Sequence, residues 1–265
     1  MVEKIQAAGG VIKLNAPVSS IGLTNPDWDN STMTVTAGGQ QYTYSHVIST
    51  ITMPNLRTID LTGSKLDVVQ ANALRASDYG PSIKIGVRFN ETWWTTGQDK
   101  DGNVFDIVGG QSFTDLPIRT VVYPSYGVYS ETPGTTLIAS YCWTYDAERL
   151  GALIGTGQQV YEDQLKALVL ADLAAIHNVD VSYLSSRFLE MYSWDWNHAP
   201  WTGGKLIELS IGRKKKEKDS NPSKYPGAFA FFGPGDFEDM YTALSRPAAD
   251  NKHHFAGEAL STRHA

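Results

Sequence analysis

The sequence predicts a mixed fold of strands and helices, α/β or α+β in class. Short β-prone runs separated by turn residues fill the first fifty positions. Two later runs have the length and composition of core strands, and one long stretch has the apolar spacing of an amphipathic helix. The turns are spaced too irregularly for a repeat protein, so a globular chain with a sizeable core is expected.

The predicted strands are runs rich in β-branched and aromatic residues, bounded by Gly, Pro, Asn and Asp. They are Val11–Leu14, Val18–Leu23, Met33–Thr36, Tyr42–Tyr44, Val47–Ile51, Ile83–Phe89 and Thr136–Trp143. Gly38-Gly39 predicts a hairpin between the strands on either side of it. Residues 97–135 are rich in Gly, Pro, Thr and Tyr, and they predict loops and short strands.

Two helices are predicted from apolar residues that recur at helical spacing. Asp67–Ser77 places Val68, Ala71 and Leu74 on one face. Gln158–His177 has the stronger pattern, because its apolar stripe runs the length of the segment. That stripe consists of Leu165, Leu168, Val169, Leu173 and Ile176.

The composition excludes several classes of protein. No apolar run approaches the roughly 18 residues that a membrane helix requires, so no membrane span is expected. Cys142 is the only cysteine among 265 residues, which excludes an intramolecular disulfide. The net charge of −6 argues against nucleic acid or an anionic membrane as a partner. Residues 1–15 lack the pattern of a signal peptide, and the compartment and oligomeric state stay open.

Common nucleotide-binding and hydrolase signatures are missing from this sequence. It contains no GxGxxG, no GxxxxGK followed by Ser or Thr, and no GxSxG. His253-His254 is interpreted as a surface pair, because adjacent histidines cannot face one ion from a helix or a strand. No metal site is therefore expected.

Three features point to a binding site of another kind. Lys84 lies inside the apolar run IKIGVRF, where it would need a partner or water if buried; alternatively it faces solvent. Trp194, Trp196 and Trp201 lie close together, either as part of the core or as the wall of a flat aromatic ligand. Residues 255–259 (FAGEA) place a small-residue turn and a carboxylate after a predicted strand, where backbone can approach a ligand closely.

Six motifs along the chain carry a family resemblance. In chain order they are GGVIKLNAPVSSI, HVISTI, SIKIGVRF, SYCWTYDAERL, GAFAFFGPG and HHFAGEALSTRHA. Together they resemble the flavin-dependent amine oxidase family, above all its L-amino-acid oxidase branch in fungi and bacteria. The resemblance covers nearly the whole chain apart from residues 204–226, and FAGEA is its most specific part.

The resemblance implies a two-domain architecture. A Rossmann-like FAD domain would be assembled from separate chain segments, and a substrate domain would contain a mixed sheet with helices. Residues 1–56 would belong to the FAD domain, residues 57–200 to the substrate domain, and residues 201–265 would return to the FAD domain.

The resemblance also implies cofactor contacts. The backbone of Val18 would contact the adenine, and Gly257, Glu258 and Ala259 would lie at the pyrophosphate and ribose. Trp196 matches an aromatic position at the flavin. The implied cofactor is therefore FAD.

The remaining implied roles concern the reaction site. Lys84 matches the catalytic-site lysine that holds a water at flavin N5, and Trp201 and Phe229 match aromatic positions of the substrate cavity. Ala228 stands where monoamine oxidases carry the cysteine that bonds to FAD, so a non-covalent flavin is expected.

The implied reaction is the oxidation of an L-amino acid, or an amine, by O₂. A hydride passes from Cα to flavin N5, the imine hydrolyses to a 2-oxo acid and ammonia, and O₂ is reduced to H₂O₂. The family's glycine-rich turn and its carboxylate-binding arginine are missing, so we expect these 265 residues alone to bind FAD weakly and to lack turnover. The alternatives are a non-catalytic remnant or interaction module of the same fold, and an unrelated sugar-binding β protein.

Residues 204–226 interrupt the family pattern. They separate Trp201-Thr202-Gly203 from GAFAFF and carry 7 of the 22 Lys and Arg residues of the chain. Codons for the ends of this segment can be written with splice donor and acceptor signals, so a translated intron is one interpretation. The other is a charged surface loop, which costs little in loop entropy.

Overall fold

The computed structural model describes residues 1–27, 31–128, 130, 134–197 and 227–261. The chain divides into two compact units: Met1–Asp78 with Ala230–Ala265, and Tyr79–Phe229. The predicted divisions, after residues 56 and 200, lie earlier in the chain. The assignment of cofactor and substrate domains to these segments stays a prediction.

The first unit begins with short elements joined by tight turns. They are helix α1 (Val2–Ala7), strands β1 (Val18–Leu23), β2 (Met33–Ala37), β3 (Gln40–Tyr44) and β4 (Val47–Ser49), and helices α2 (Met53–Leu56) and α3 (Val68–Ala76). Strand β5 (Asp78–Gly80) begins at the last residue of this segment and continues into the second unit. Strands β1, β2 and β3 form an antiparallel sheet in that order. Gly38 and Gly39 form the β2–β3 turn at φ values of 57° and 77°, which confirms the predicted hairpin.

The predicted strand Val11–Leu14 is wrong. Its side chains are exposed and it pairs with no described strand, because β propensity alone does not form a strand without a partner. Helix α3 has the predicted limits and begins at a capping box, but its predicted apolar face is wrong. Val68 and Ala71 are exposed, and Gln70 is buried beside Leu74 because its side-chain amide donates to backbone carbonyls of a distant segment. Asp67 accepts a hydrogen bond from the backbone N–H of Gln70 (2.7 Å), and Gln70 Oε1 accepts one from the Asp67 N–H (3.2 Å).

The second unit is built on a larger sheet. Its elements are β6 (Ser82–Phe89), α4 (Trp93–Thr96), β7 (Gln111–Phe113), β8 (Thr120–Val122), β9 (Thr136–Trp143), α5 (Thr144–Gly151), α6 (Gln159–Ile176), α7 (Val181–Ser185) and β10 (Phe188–Asp195). The strands form a five-stranded antiparallel sheet in the order β10-β6-β9-β8-β7.

One face of this sheet is the core of the second unit. Ile83, Ile85, Val87 and Phe89 alternate along β6 and are completely buried. They belong to one apolar cluster with the buried face of α6. Because each such aliphatic side chain contributes roughly 1.5–3 kcal/mol when fully buried, this alternation fixes which face of β6 points inward.

The chain ends in the first unit. The remaining elements are β11 (Phe229–Phe231), a π-helical turn (Phe237–Tyr241), α8 (Thr242–Ser245) and β12 (His253–Phe255). Strand β12 pairs in parallel with β4, and β11 pairs with β5. The mixed fold class is thereby confirmed. Among the described residues, no helix combines the length and apolarity that crossing a bilayer requires.

Candidate functional site

The outer face of the large sheet carries aromatic rings around one lysine. Lys84 in β6 lies opposite Trp194 in β10 and opposite Tyr141 in β9. Because side chains alternate along a strand, Trp143 and Tyr192 share this face. We call these five residues the Lys84 face.

The rings of the Lys84 face contact one another in pairs. The ammonium nitrogen of Lys84 lies 4.9 Å from the ring centroid of Tyr141, a cation–π contact. Ring centroids are 5.6 Å apart for Tyr141 and Trp143, and 5.8 Å apart for Trp194 and Trp196. Predicted residues Lys84 and Trp196 therefore lie beside the same group of rings. Sequence reasoning missed Tyr141, since only the strand register places it next to Lys84.

Lys84 is exposed, so of the two alternatives, buried with a partner or facing solvent, the second is correct. The apolar strand tolerates the charge because Lys84 projects from the face opposite the core. Nε1 of Trp194 is buried and has no hydrogen-bond partner among the described residues. An exposed ammonium beside flat aromatic walls fits a planar ligand that carries hydrogen-bond acceptors, as a flavin ring does.

Phe229 packs against a glycine of the same unit. A Cβ added to Gly80 would lie 2.7 Å from Cζ of Phe229, so only glycine allows this contact. The backbone N–H of Ala228 donates to the carbonyl of Gly80 at 2.8 Å. Residue 228 is an alanine and provides no thiol. Trp201 lies outside the described residues.

The two ends of the undescribed segment 198–226 are anchored to neighbouring residues. The N–H of Trp196 donates to the carbonyl of Ser82 at 3.1 Å, and the N–H of Ala228 donates to the carbonyl of Gly80 at 2.8 Å. These acceptors are two residues apart, which is about 7 Å along an extended chain. A connection much shorter than segment 198–226 would therefore be long enough to join its two ends.

Deletion of residues 204–226 is accordingly expected to preserve the second unit and to stabilise it slightly. The connection would shorten from 29 residues (198–226) to six (198–203), which reduces the loop-closure cost by about 1.4 kcal/mol. Urea unfolding of both chains measures the difference. A variant with a Gly/Ser segment of equal length in place of 204–226 should match the parent chain. Destabilisation of the deletion variant by more than 2 kcal/mol would mean that the segment is a packed part of the fold.

In the first unit, Gly257, Glu258 and Ala259 follow the carboxyl ends of a parallel strand pair. After β4 and β12, the N–H of Ala256 donates to the carbonyl of Ser49 at 2.9 Å. Gly257 has φ of 115°, and a Cβ there would lie 3.2 Å from the carbonyl oxygen of Thr50. Ligands of α/β sheets bind at the carboxyl ends of parallel strands, and glycine lets backbone approach them. This turn therefore fits the pyrophosphate of a dinucleotide.

The other residues predicted to contact the cofactor in this unit make ordinary backbone and side-chain contacts. The carboxylate of Glu258 accepts a hydrogen bond from the N–H of Ala230, at 3.0 Å to Oε2. Ala259 follows it in a short 3₁₀ turn. Val18 begins β1 beside a bulge and is 36% exposed, so its backbone is accessible at that edge. Their contacts with a cofactor stay a prediction.

Directly beneath this turn lies a histidine whose position was predicted wrongly. His253 is completely buried rather than at the surface, because adjacent strand residues point to opposite sides. Its Nε2 lies 2.8 Å from Oγ of Ser49 and its Nδ1 lies 3.0 Å from Oγ of Ser64. His254, on the other side, is half-buried near His46, with ring centroids 5.8 Å apart. Among the described residues, no group of three His, Cys, Asp or Glu side chains is placed to hold a metal ion.

Comparisons with known proteins agree with these features. A family model described as flavin containing amine oxidoreductase matches residues 1–265. L-amino-acid oxidase 4 of Hebeloma cylindrosporum is 60% identical over 257 residues, which are 97% of this chain and 37% of the relative. L-amino-acid oxidase of Mus musculus is 32% identical over 224 residues, which are 81% of this chain and 31% of the relative.

A solved structure has a similar fold. Putrescine oxidase bound to putrescine superposes with a TM-score of 0.67 at 21% identity, covering 98% of this chain and 46% of that one. At this identity the likeness concerns the fold alone. The chain spans less than half the length of each of these three proteins.

Proposed function

The chain belongs to the family of flavin-containing amine oxidoreductases, and from this premise we propose that it forms part of an FAD-dependent L-amino-acid oxidase. The proposed overall reaction converts an L-amino acid, O₂ and water into a 2-oxo acid, ammonia and H₂O₂. The observation that carries the proposal is the Lys84 face, where one ammonium lies among aromatic rings.

Bound FAD would supply the redox chemistry, as acceptor of hydride from Cα and donor of electrons to O₂. The proposed part of Lys84 is to hold a water beside the reacting atoms with its ammonium group. The rings of Tyr141, Trp194 and Trp196 would exclude bulk water and align a flat ligand against the sheet. Trp201 and Phe229 are proposed to complete the substrate cavity.

The proposed cofactor contacts lie on the first unit. The turn at Gly257 would admit the pyrophosphate, with Glu258 and Ala259 beside it and the backbone of Val18 at the adenine. Support comes from the close approach of Gly257 to the Thr50 carbonyl, just after the carboxyl ends of β4 and β12. We propose that the flavin is held without a covalent bond, because Ala228 cannot form one.

Lys84→Met should slow flavin reoxidation by O₂ about 100-fold, at the lower end of the range that a positioned proton donor contributes. Flavin reduction by the amino acid should change much less, because the hydride comes from the substrate. Stopped-flow absorbance resolves the two half-reactions in an oxidase of the relatives' full length that contains this sequence.

Arg88→Met is the matched control for this experiment. Arg88 lies on the same strand and the same face, is exposed, and pairs with Glu190 at 2.9 Å. Removing its charge should leave both half-reactions unchanged. If Lys84→Met also leaves both unchanged, Lys84 is an ordinary surface lysine and the proposed role is wrong.

A further inference from the structure

The turn after β6 carries an Asn-x-Thr motif that has no part in the proposed oxidase chemistry. Asn90, Glu91 and Thr92 follow directly on Phe89, the last residue of β6, and precede helix α4. Asn-x-Ser/Thr with any residue except proline in the middle is the acceptor pattern for N-linked glycosylation, and Glu91 meets that condition. Such a short motif also arises by chance, so its place in the structure decides whether it can serve as a site.

The carboxamide of Asn90 is free. Asn90 is exposed, and its side chain has no hydrogen-bond partner among the described residues. Its backbone is not left-handed, so neither a side-chain bond nor a left-handed turn explains asparagine at this position. Other exposed asparagines use their side chains. Asn72 accepts a hydrogen bond from Arg75 at 3.2 Å, and Asn103 donates one to Asp99 at 2.9 Å.

The hydroxyl of Thr92 is free as well. Thr92 is the N-cap of α4, where a threonine side chain usually accepts a hydrogen bond from a helix N–H. Here the Thr92 carbonyl accepts from the N–H of Thr95 at 2.9 Å, but the side chain makes no capping bond. In the second motif of this type, residues 30–32, the hydroxyl of Thr32 lies 3.0 Å from that of Thr24, and Asn30 lies outside the described residues. Only at Asn90 does the structure show both required side chains unused.

The turn is held in place by other groups. The N–H of Asn90 donates to the carbonyl of Arg187 at 2.8 Å, and the carboxylate of Glu91 pairs with the guanidinium of Arg187. Trp93 and Trp94, which follow, are completely buried. The backbone therefore presents Asn90 at a fixed place on the surface, where a sugar on its side chain displaces no packed group.

We propose that Asn90 is the acceptor for an N-linked oligosaccharide when the chain is made through the secretory pathway. The donor is an oligosaccharide joined to a lipid through a diphosphate, and the hydroxyl of Thr92 is the group that the transferase recognises. Nδ2 of Asn90 bonds to C1 of the first sugar, the bond from C1 to the diphosphate oxygen breaks, and the lipid diphosphate leaves. The amide releases one proton, and nothing is oxidised or reduced.

The site is separate from the Lys84 face. Asn90 lies six positions beyond Lys84, which is about 20 Å along an extended strand. A glycan at Asn90 is therefore anchored away from the aromatic rings around Lys84. The inference stands independently of the proposed oxidase function.

Peptide mapping of a secreted oxidase tests the proposal. An oxidase of the relatives' full length that contains this sequence is expressed in a eukaryotic host behind a secretion signal, with one further Asn-x-Thr motif in a C-terminal tag. Peptide N-glycosidase in heavy-oxygen water converts a glycosylated asparagine into a labelled aspartate. Trypsin releases residues 89–100, in which Asn90 is the only asparagine. We expect the label in this peptide and in the tag, and a labelled tag with an unlabelled peptide 89–100 would overturn the proposal.

Variants of the turn show what the modification depends on. Asn90→Gln and Thr92→Val should lose the label from residues 89–100, because the first removes the acceptor nitrogen and the second removes the hydroxyl. Thr92→Ser restores a hydroxyl and should keep the label. Glu91→Gln is the matched control, because it removes the charge that pairs with Arg187 but preserves the motif, so its label should persist. A label in Thr92→Val, or its loss in Glu91→Gln, would contradict an acceptor site defined by Asn90 and Thr92.

Discussion

Acidification from pH 7 to pH 4 is expected to lower the free energy of opening of the β4–β12 pair by about 3 kcal/mol through His253. Ser64 Oγ donates its proton to the carbonyl of Ile21 at 2.9 Å, so it accepts from Nδ1–H of His253. Nε2 then accepts from Ser49. The network therefore selects the neutral ring.

Burial, assisted by the neighbouring His254, lowers the pKa of His253 from 6.5 to about 4. In the unfolded chain the ring has its ordinary pKa and binds a proton as the pH falls below 6.5. The folded ring stays neutral until the pH nears 4. The stabilisation is therefore complete above pH 6.5 and is lost as the pH falls towards 4.

Hydrogen exchange measures this loss locally, at the N–H of Ala256 and its neighbours in β4 and β12, after correction for intrinsic exchange rates. The pH dependence should be present in the parent chain and absent from His253→Asn. His46→Gln is the control, because His46 is exposed and should leave the dependence unchanged. An equal pH dependence in His253→Asn and the parent chain would contradict the assignment to His253.

His253 also illustrates which parts of the structure a sequence can predict. Strands Val18–Leu23 and Thr136–Trp143 have the predicted limits, because alternation and β-branched composition are local properties. Val11–Leu14 has a similar composition but no strand partner, and pairing depends on distant residues. The burial of one histidine of an adjacent pair follows from strand alternation, but which of the two is buried depends on Ser49 and Ser64, far away in the chain.

The candidate site shows the same division. Lys84, Gly257 and Glu258 were found through motifs, which are runs of neighbouring residues. Tyr141 was missed, because its importance depends on the strand register that places it opposite Lys84. No local pattern in the sequence carries that information.

Gly227→Ala is expected to destabilise the second unit by about 3 kcal/mol, at the upper end of the usual cost of overpacking. An added Cβ would lie 2.4 Å from the carbonyl oxygen of Gly80 and 2.7 Å from the carbonyl carbon of Tyr79. Both are backbone atoms, so no side-chain rotation relieves the clash. The hydrogen bond from Ala228 to Gly80 and the packing of Phe229 on Gly80 depend on the same close approach.

The matched control is Gly134→Ala. A Cβ at Gly134 meets no atom within 4 Å, and its backbone does not require glycine, so this variant should keep the parent stability. Urea unfolding compares the two variants, and hydrogen exchange at Ala228 shows whether the strand has detached. A parent-like stability and a protected Ala228 in Gly227→Ala would contradict the prediction. If Gly227→Ala loses both stability and the protection of Ala228 while Gly134→Ala keeps them, glycine at position 227 holds Phe229 against Gly80. The proposed place of Phe229 in the substrate cavity depends on this arrangement.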